Sequence, residues 1–431
     1  MIAKMSNQTQ QKPEPRPRPA FVVGMDAHSR KLVVSVWRWS DPWSPEFVKT
    51  TSFDISDIRE KYEKLVDLDS ITIIEASTNA AAIKEMLVTA GYRAEVVRSD
   101  TIANRERKRK VCDAKDAENL ALAYIKGDIK DFVWTPSEKH AEFRSLLFAF
   151  RDAQREAQRN WNRLWSLCSA HAMKLPELKG DKFVTEVRKA MSEKVLDRIA
   201  LERFEMLIKD YEHYFKRLEK LDGMILDVVA EEDGMIDLMQ LQGAYYKSAF
   251  AIVTLVEDAH RFAKGSRLSA YAGLAAQVNT TGEEEDRAKT RGGSRKPLDE
   301  DGRRDLKFWF CESAQTVLNT CASGRLGKWG HSLIFKGKQR NKVVCAVARK
   351  QTLYTWHIMR GDPTPNRENE AFFRRKMIRF ASDLGAARLK KLGFKTRAEF
   401  ADHHIQRLYG HLPTTKQDEA QKGSVQERKS A

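Results

Sequence analysis

Four carboxylates in this sequence are placed where they could act together on one substrate. Asp26 lies near the end of the apolar run FVVGMDAH, and Glu75 lies near the end of a second apolar run, ITIIEAS. Asp113 and Asp116 are three residues apart, so they share one face at the start of a predicted helix. Gathered carboxylates repel one another unless cations lie among them, and all-oxygen ligands favour Mg²⁺ or Mn²⁺. Two such ions would clamp the attacking and leaving oxygens of a phosphodiester.

Each of these residues alone also fits a simpler role. Asp113 and Asp116 could stabilise a helix N-terminus, and Glu75 could be an ordinary surface residue. The order of the four carboxylates and their placement at the ends of elements are the more specific signal. His28 and His171 are expected to be structural, hydrogen-bonded residues rather than metal ligands.

The elements around the carboxylates predict an α/β domain over residues 21–135. Two early apolar runs are typical of adjacent antiparallel strands joined by a tight turn, and two later runs are typical of further strands. One predicted helix ends at Gly91, the usual place of a C-terminal glycine. The predicted strands are 21–28, 31–39, 71–77 and 94–99, and the predicted helices are 55–67, 79–91 and about 112–126. Strands followed by alternating strand and helix indicate an α/β fold.

The remainder of the chain predicts helices, which makes the fold class α/β + α. Residues 136–235 are charged, with apolar positions three and four apart, as in an antiparallel helical hairpin or coiled coil. Residues 236–375 predict a second compact unit of helices. Residues 376–431 predict a C-terminal helix and a disordered tail, and residues 1–20, rich in Pro, Gln and Arg, predict a disordered basic arm.

The charge balance points to a polyanionic partner. Among 431 residues, 76 Lys and Arg stand against 60 Asp and Glu, a net charge of +16. Nucleic acid is the simplest such partner, although a basic surface that binds nothing is the alternative. Basic groups contact phosphates without reading base sequence, and the same runs could also be solvated helix faces. The candidate contacts are Arg105, Arg107, Lys108, Arg109, Lys110, Arg287, Lys289, Arg291, Arg295, Lys296, Lys338 and Arg340.

Several protein classes are disfavoured by the sequence. No run of 18 uncharged apolar residues predicts a transmembrane helix, and the N-terminal residues lack the apolar core of a secretory signal. The five cysteines are scattered and form no CxxC pair, which argues against a zinc site or a disulfide framework. A cytoplasmic protein in a reducing compartment, without a membrane partner, is therefore expected.

Several motifs together resemble a known family. GMDAHSRKL, IIEAS and CDAKDAENLA, in this order, resemble the Asp-Glu-Asp-Asp (DEDD) set of a ribonuclease-H-like fold of the Holliday-junction-resolvase (RuvC-like) type. LSAYAGLAAQVNTTG, GRRDLKFWFCESA and GKQRNKVVCAVARK resemble the C-terminal domain of insertion-sequence-110 family transposases. Site-specific DNA invertases of the Piv type share this plan. The matching stretches run from about residue 21 to residue 360.

The resemblance implies a transposase or site-specific recombinase whose carboxylates hold Mg²⁺ or Mn²⁺. It also implies a serine nucleophile in a Gln/Ser-Ser-Gly motif of the C-terminal domain. The corresponding stretch here is Asn279-Thr280-Thr281-Gly282, so the serine position falls on Thr281. Threonine keeps the hydroxyl but is bulkier and stiffer than serine. Ser294, in the RGGSRK stretch, is the alternative nucleophile.

The resemblance further implies donor and target DNA as partners and a structured noncoding guide (bridge) RNA from the ends of the element. Because hydroxyl and carboxylates lie in different domains, a homodimer or homotetramer with a shared site is expected. Two other functions stay open. One is a resolvase-like nuclease that uses water as its nucleophile. The other is a catalytically silent nucleic-acid-binding derivative, consistent with the missing serine.

Overall fold

The computed structural model describes residues 18–40, 44–98, 112–129, 132–174, 178–275, 302–321, 324–362 and 369–410. By its internal contacts the chain divides into two units, Met1–Lys139 and His140–Ala431. The first unit contains the sheet, and the second is helical throughout its described residues. The α/β and helical halves expected from the sequence are therefore confirmed.

The described part of the first unit is built on a five-stranded mixed sheet of order β3-β2-β1-β4-β5. β1 pairs antiparallel with β2 and parallel with β4, while β2–β3 is antiparallel and β4–β5 is parallel. The strands are β1 (Phe21–Ala27), β2 (Lys31–Arg38), β3 (Glu46–Asp54), β4 (Ser70–Glu75) and β5 (Arg93–Val97). The helices are α1 (Ile58–Glu63), α2 (Ala80–Thr89) and α3 (Asp113–Ile125).

Four of these strands were predicted, and β3 was not. β3 is an edge strand whose side chains are mostly exposed, with only Phe53 buried. A strand without an apolar face has no periodic signal, and its pairing with β2 depends on backbone hydrogen bonds.

Alternate residues of the strands face two different apolar layers. Val23 and Met25 of β1 belong to the cluster that includes residues of α1 and α2. Val22 of β1, with Ile71 and Ile73 of β4, belongs to the cluster that includes α3. Since side chains alternate with a period of two, later residues of β1 and β4 keep the same alternation.

The second unit is an assembly of helices around a large apolar core. Its helices are α4 (Glu138–Ala170), α5 (Asp181–Ser192), α6 (Arg198–Glu231), α7 (Asp233–Leu238), α8 (Tyr246–Val256), α9 (Gly265–Tyr271), α10 (Arg304–Thr320), α11 (Arg325–Phe335), α12 (Arg340–Met359), α13 (Glu370–Lys391) and α14 (Arg397–Tyr409). α13 is interrupted at Gly385, whose φ is +77°. No helix in the described ranges is long and apolar enough to cross a membrane.

A smaller core joins the C-terminal half of α4, α5 and the N-terminal half of α6. Phe204, Ile208 and Tyr211 of α6 are buried there, as the amphipathic stripe predicts. Leu201, which the stripe also includes, is 42% exposed. The rings of Trp161 and Trp165 stack on each other at 5.1 Å, beside this core.

Segments near both ends of the chain also pack. Ala20 donates its backbone N–H to the Asp69 carbonyl at 3.0 Å, although it lies in the stretch predicted as a disordered arm. α13 and α14 contribute buried residues such as Phe380 and Phe400 to the large core. Residues 1–17 and 411–431, which include most of the predicted arm and tail, lie outside the described residues.

Candidate active site at the sheet edge

The register of the sheet brings Asp26 and Glu75 side by side. Met25 of β1 pairs with Ile74 of the parallel strand β4, so Asp26 and Glu75 are the next residues along the two strands. Both continue the alternation that faces α3, because Asp26 follows Val22 and Glu75 follows Ile73 at even spacing. The carboxyl ends of two neighbouring parallel strands therefore present two carboxylates on the same face.

Close packing of α3 against β1 brings the other two carboxylates to this edge. A Cβ atom placed on Gly24 would lie 1.8 Å from the carbonyl oxygen of Ala117, so only glycine allows this approach. Ala117 and Ala121, the helix residues nearest Gly24, are fully buried. Asp113 and Asp116 lie in the first turn of α3. The small residues beneath the helix thus set how near its N-terminus comes to Asp26.

His28 lies between two of these carboxylates. Its Nε2 atom is 3.2 Å from Oδ2 of Asp26 and 3.3 Å from Oδ2 of Asp113. Asp26 is mostly buried, with 13% of its side chain exposed, whereas half of the His28 side chain is exposed. His28 was expected from the sequence to be a structural residue, not a metal ligand. Its position two residues after Asp26, in the turn between β1 and β2, was the signal that could have placed it at the site.

The electrostatics indicate that neighbouring carboxylates act on both Asp26 and Asp116. Burial is the main cause that raises the pKa of Asp26, and the charges of Glu75, Asp113 and Asp116 raise it further, while His28 opposes them. Burial also raises the pKa of Asp116, again with added repulsion from Glu75 and Asp113. Among the described residues, His28 is the one cationic group that contributes to either shift.

This donor set fits a divalent cation. The oxygens of Asp26 and Asp113 and a nitrogen of His28 lie within 4.8 Å of one another, which is close enough for one ion to contact all three. The raised pKa of Asp26 reflects first its burial and then the nearby negative charges of Glu75, Asp113 and Asp116. A bound cation would neutralise that charge, and carboxylate-rich sites favour Mg²⁺ or Mn²⁺.

The other predicted site residues are distributed differently. Lys338 and Arg340 lie at the exposed turn between α11 and α12, in the second unit. The candidate nucleophiles Thr281 and Ser294 lie outside the described residues. So do two groups of basic residues, Arg105, Arg107, Lys108, Arg109 and Lys110, and Arg287, Lys289, Arg291, Arg295 and Lys296.

The second unit carries the match to a known family. Residues 237–325 match the family model described as Transposase IS116/IS110/IS902 family. Over this segment, the chain is similar to transposases of the IS110 family. The matching segment covers about a fifth of the chain and extends from the end of α7 to the start of α11. No curated protein is significantly similar to the chain.

Within the segment that matches the family model, glycines allow two close contacts. Gly243, with φ +83°, lies against α10, where an added Cβ would be 2.3 Å from the Ser313 carbonyl oxygen. An added Cβ on Gly302 would lie 2.1 Å from the Cα atom of Gly273. The described residues on either side of 276–301, the stretch that includes both candidate nucleophiles, are therefore in contact with each other.

Proposed function

We propose that this protein is a transposase, a metal-dependent DNA recombinase that cuts and rejoins the DNA of a mobile element. The convergence of Asp26, Glu75, Asp113 and Asp116 at one sheet edge carries the proposal. We further propose that residues 21–135 form a ribonuclease-H-like (RuvC-like) catalytic domain. The strand order β3-β2-β1-β4-β5, with catalytic candidates at the carboxyl ends of β1 and β4, supports that assignment.

The proposed reaction is a transesterification at phosphorus. The four carboxylates would hold Mg²⁺ or Mn²⁺, which would supply charge stabilisation at the phosphodiester oxygens and favour ionisation of an attacking hydroxyl. The side-chain hydroxyl forms a bond to phosphorus, and one deoxyribose oxygen leaves and takes up a proton. A deoxyribose hydroxyl can later attack the protein–DNA ester, so the strands rejoin without an external energy source.

Thr281 is the proposed source of that hydroxyl, and Ser294 is the alternative. The family match includes both positions. In this proposal, residues 236–375 form the transposase domain with the nucleophile, and the helical region 136–235 connects it to the catalytic domain. A homodimer or homotetramer in the cytoplasm would share sites between subunits. An Asp26→Ala protein mixed with a Thr281→Ala protein is then expected to recover activity in the mixed oligomer.

An exposed basic turn supports contact with nucleic acid. Phe335, at the end of α11, is 93% exposed, and the lysines and arginine that follow it are exposed as well. These are Lys336, Lys338, Arg340 and Lys342. Cations bind phosphates, and an exposed aromatic ring can stack on an unpaired base. We propose that this turn contacts donor or target DNA, or the guide RNA that the family resemblance implies.

A covalent-adduct assay tests the proposed function. The full-length protein is incubated with noncoding RNA from the element's ends, joined-end DNA, target DNA and Mg²⁺, and the denatured DNA is examined for attached protein. We expect an adduct in the wild type that Asp26→Ala reduces by at least roughly a hundredfold. Either Thr281→Ala or Ser294→Ala is expected to abolish it, which identifies the nucleophile.

Two matched variants control this assay. Thr280→Ala removes the hydroxyl next to Thr281, and Asp152→Ala removes an exposed carboxylate of α4 that is paired with Arg155. Both are expected to keep the adduct. DNA cleavage without an adduct, insensitive to both hydroxyl variants, would indicate the water-using nuclease. Tight binding with neither adduct nor cleavage would indicate a silent nucleic-acid-binding derivative.

A further inference from the structure

The position of His28 adds a nitrogen to a site that otherwise has only oxygen donors. We infer that His28 is a direct ligand of the divalent metal together with Asp26 and Asp113, and that it shifts the preference of the site from Mg²⁺ toward Mn²⁺. The inference rests on the proposed function, because it uses the carboxylate site that function requires. It differs from the sequence-based expectation of a structural histidine.

The spacing of the three donor atoms supports direct ligation. The His28 Nε2 atom is 3.2 Å from one carboxylate oxygen and 3.3 Å from the other, and both oxygens are Oδ2 atoms. Neighbouring ligands about 2.1 Å from an octahedral ion lie about 3 Å apart, so this spacing is close to that of adjacent positions around one ion. Half of the His28 side chain is exposed, so an ion can reach the nitrogen from solvent.

The backbone of His28 is held from two directions. Its N–H donates to the Lys31 carbonyl at 3.1 Å, which closes the turn between β1 and β2. Its carbonyl accepts a hydrogen bond from Nδ2 of Asn79 at 2.7 Å, and Oδ1 of Asn79 accepts one from Ser77 at 2.8 Å. Because Ser77 and Asn79 follow β4, the turn that carries His28 is tied to the strand that carries Glu75. Such support is typical of preorganised ligand sites.

The chemistry of imidazole determines which divalent ion binds more tightly when His28 is a ligand. Mg²⁺ prefers hard oxygen ligands and gives up its waters reluctantly, whereas later first-row ions accept nitrogen ligands more readily. A site of carboxylates and one imidazole therefore favours Mn²⁺ over Mg²⁺ more strongly than carboxylates alone. The competing role for His28 is that of an imidazolium counter-cation. That role predicts the opposite result, since removing a positive charge strengthens the binding of any cation.

Metal binding by the purified full-length protein separates these roles without any activity measurement. Free Mn²⁺ is followed by electron paramagnetic resonance, and Mg²⁺ is measured by its competition with Mn²⁺. We expect His28→Ala to weaken Mn²⁺ binding by at least about tenfold. Mg²⁺ binding is expected to change by less than about threefold. The bound Mn²⁺ is expected to show nitrogen coupling in spin-echo modulation for the wild type and to lose it in the variant.

Two further variants make the result specific. His260→Ala removes an exposed imidazole that is paired with Asp258 at 3.0 Å in the second unit, and it is expected to leave Mn²⁺ binding unchanged. Asp26→Asn is expected to abolish binding at the site. Unchanged or tighter Mn²⁺ binding by His28→Ala, with Asp26→Asn still defective, overturns the role of His28 alone. Wild-type protein that binds Mn²⁺ no better than Asp26→Asn overturns the metal site of the proposed function, and the ligand role with it.

Discussion

The sheet edge and the helix α4 both carry several charged side chains, but those side chains have different partners. Along α4, Arg155 pairs with Asp152 at 3.3 Å and Arg159 with Glu156 at 2.6 Å, and each pair is formed within one helical turn. At the sheet edge, His28 is the one described cationic group that acts on the carboxylates of Asp26 and Asp116. Each exposed pair of this kind contributes at most about 1 kcal/mol to the free energy of unfolding, so these charges have little effect on stability.

This difference shows how to recognise a functional charge cluster. Local pairs follow from the spacing of residues within a single helix, so their charges are neutralised wherever the helix lies. The carboxylates of the sheet edge come from two strands and a helix. The pKa of Asp26 is raised there, mainly by burial and further by the charges of Glu75, Asp113 and Asp116, and His28 offsets only part of this rise. A cation bound among these carboxylates, as proposed above, would offset that unfavourable charge.

The largest expected effect tests whether the sheet edge depends on tertiary packing. Gly24→Ala places a methyl group against the backbone of α3 at Ala117, so α3 must move away from β1. We expect the free energy of unfolding to fall by about 3 kcal/mol, and Mn²⁺ binding to be lost because Asp113 and Asp116 move with the helix. Urea unfolding and metal titration measure the two effects.

Gly234→Ala provides the control for this change. Gly234 lies within α7, where an added Cβ meets no atom within 4 Å. Alanine is favoured over glycine in a helix, so the variant is expected to be at least as stable as the wild type. If Gly24→Ala also preserved stability and metal binding, then the close contact with Ala117 would not position the carboxylates.

The second prediction contrasts how the two units respond to acid. Burial, together with Arg407 and His403, lowers the pKa of His404 to about 4 from an ordinary 6.5, and its Nδ1 has no hydrogen-bond partner among the described residues. Below pH 6.5 the unfolded chain takes up a proton at His404 that the folded chain binds only near pH 4. The contribution of neutral His404 to the free energy of unfolding is therefore complete above pH 6.5 and falls as the pH decreases toward 4.

We expect the titration of His404 to lower the free energy of unfolding of the second unit by about 2 kcal/mol between pH 6.5 and 4. His404→Leu abolishes the titration, so the variant is expected to lose less stability over that range than the wild type. Hydrogen exchange of the amides in α13 and α14, measured across these pH values, monitors the unit directly. Parallel pH profiles for the two proteins would contradict the prediction.

The smallest expected effects come from removing a single carboxylate, one at the sheet edge and one on α4. In the presence of a chelator, Asp26→Asn removes a buried charge that Glu75 and the aspartates of α3 repel, so it is expected to stabilise the protein by up to about 1 kcal/mol. Asp152→Asn removes a charge paired with Arg155 and is expected to destabilise it by a few tenths of a kcal/mol.

The pH dependence of the Asp26 effect has a definite sign. Because the pKa of Asp26 is raised in the folded protein, its ionised form destabilises the fold, and the advantage of Asp26→Asn is expected to appear as the pH rises through that pKa. Near the ordinary pKa of 3.8 the two proteins should differ little. Equal stability at pH 7 would indicate that neither burial nor the neighbouring carboxylates disfavour the ionised form of Asp26 in solution.

The sequence by itself determined much of the first unit. β-Branched apolar runs predict β1, β2, β4 and β5, because buried strands must place such residues on both faces of a sheet. The positions of Asp26 and Glu75 at the ends of two such runs, and of Asp113 at a helix start, predict a shared edge. These signals can be found in the sequence because the pattern of each element is set within a few residues.

Tertiary structure alone decided the rest. β3 carries no apolar face and is held by pairing with β2, so its own residues do not identify it as a strand. The approach of α3 to β1 depends on Gly24 meeting Ala117, two residues far apart in the chain. His28 becomes a candidate ligand only because α3 brings Asp113 to within 3.3 Å of it. Contacts between distant residues depend on register and packing distance, and neither is encoded in the periodicity of one segment.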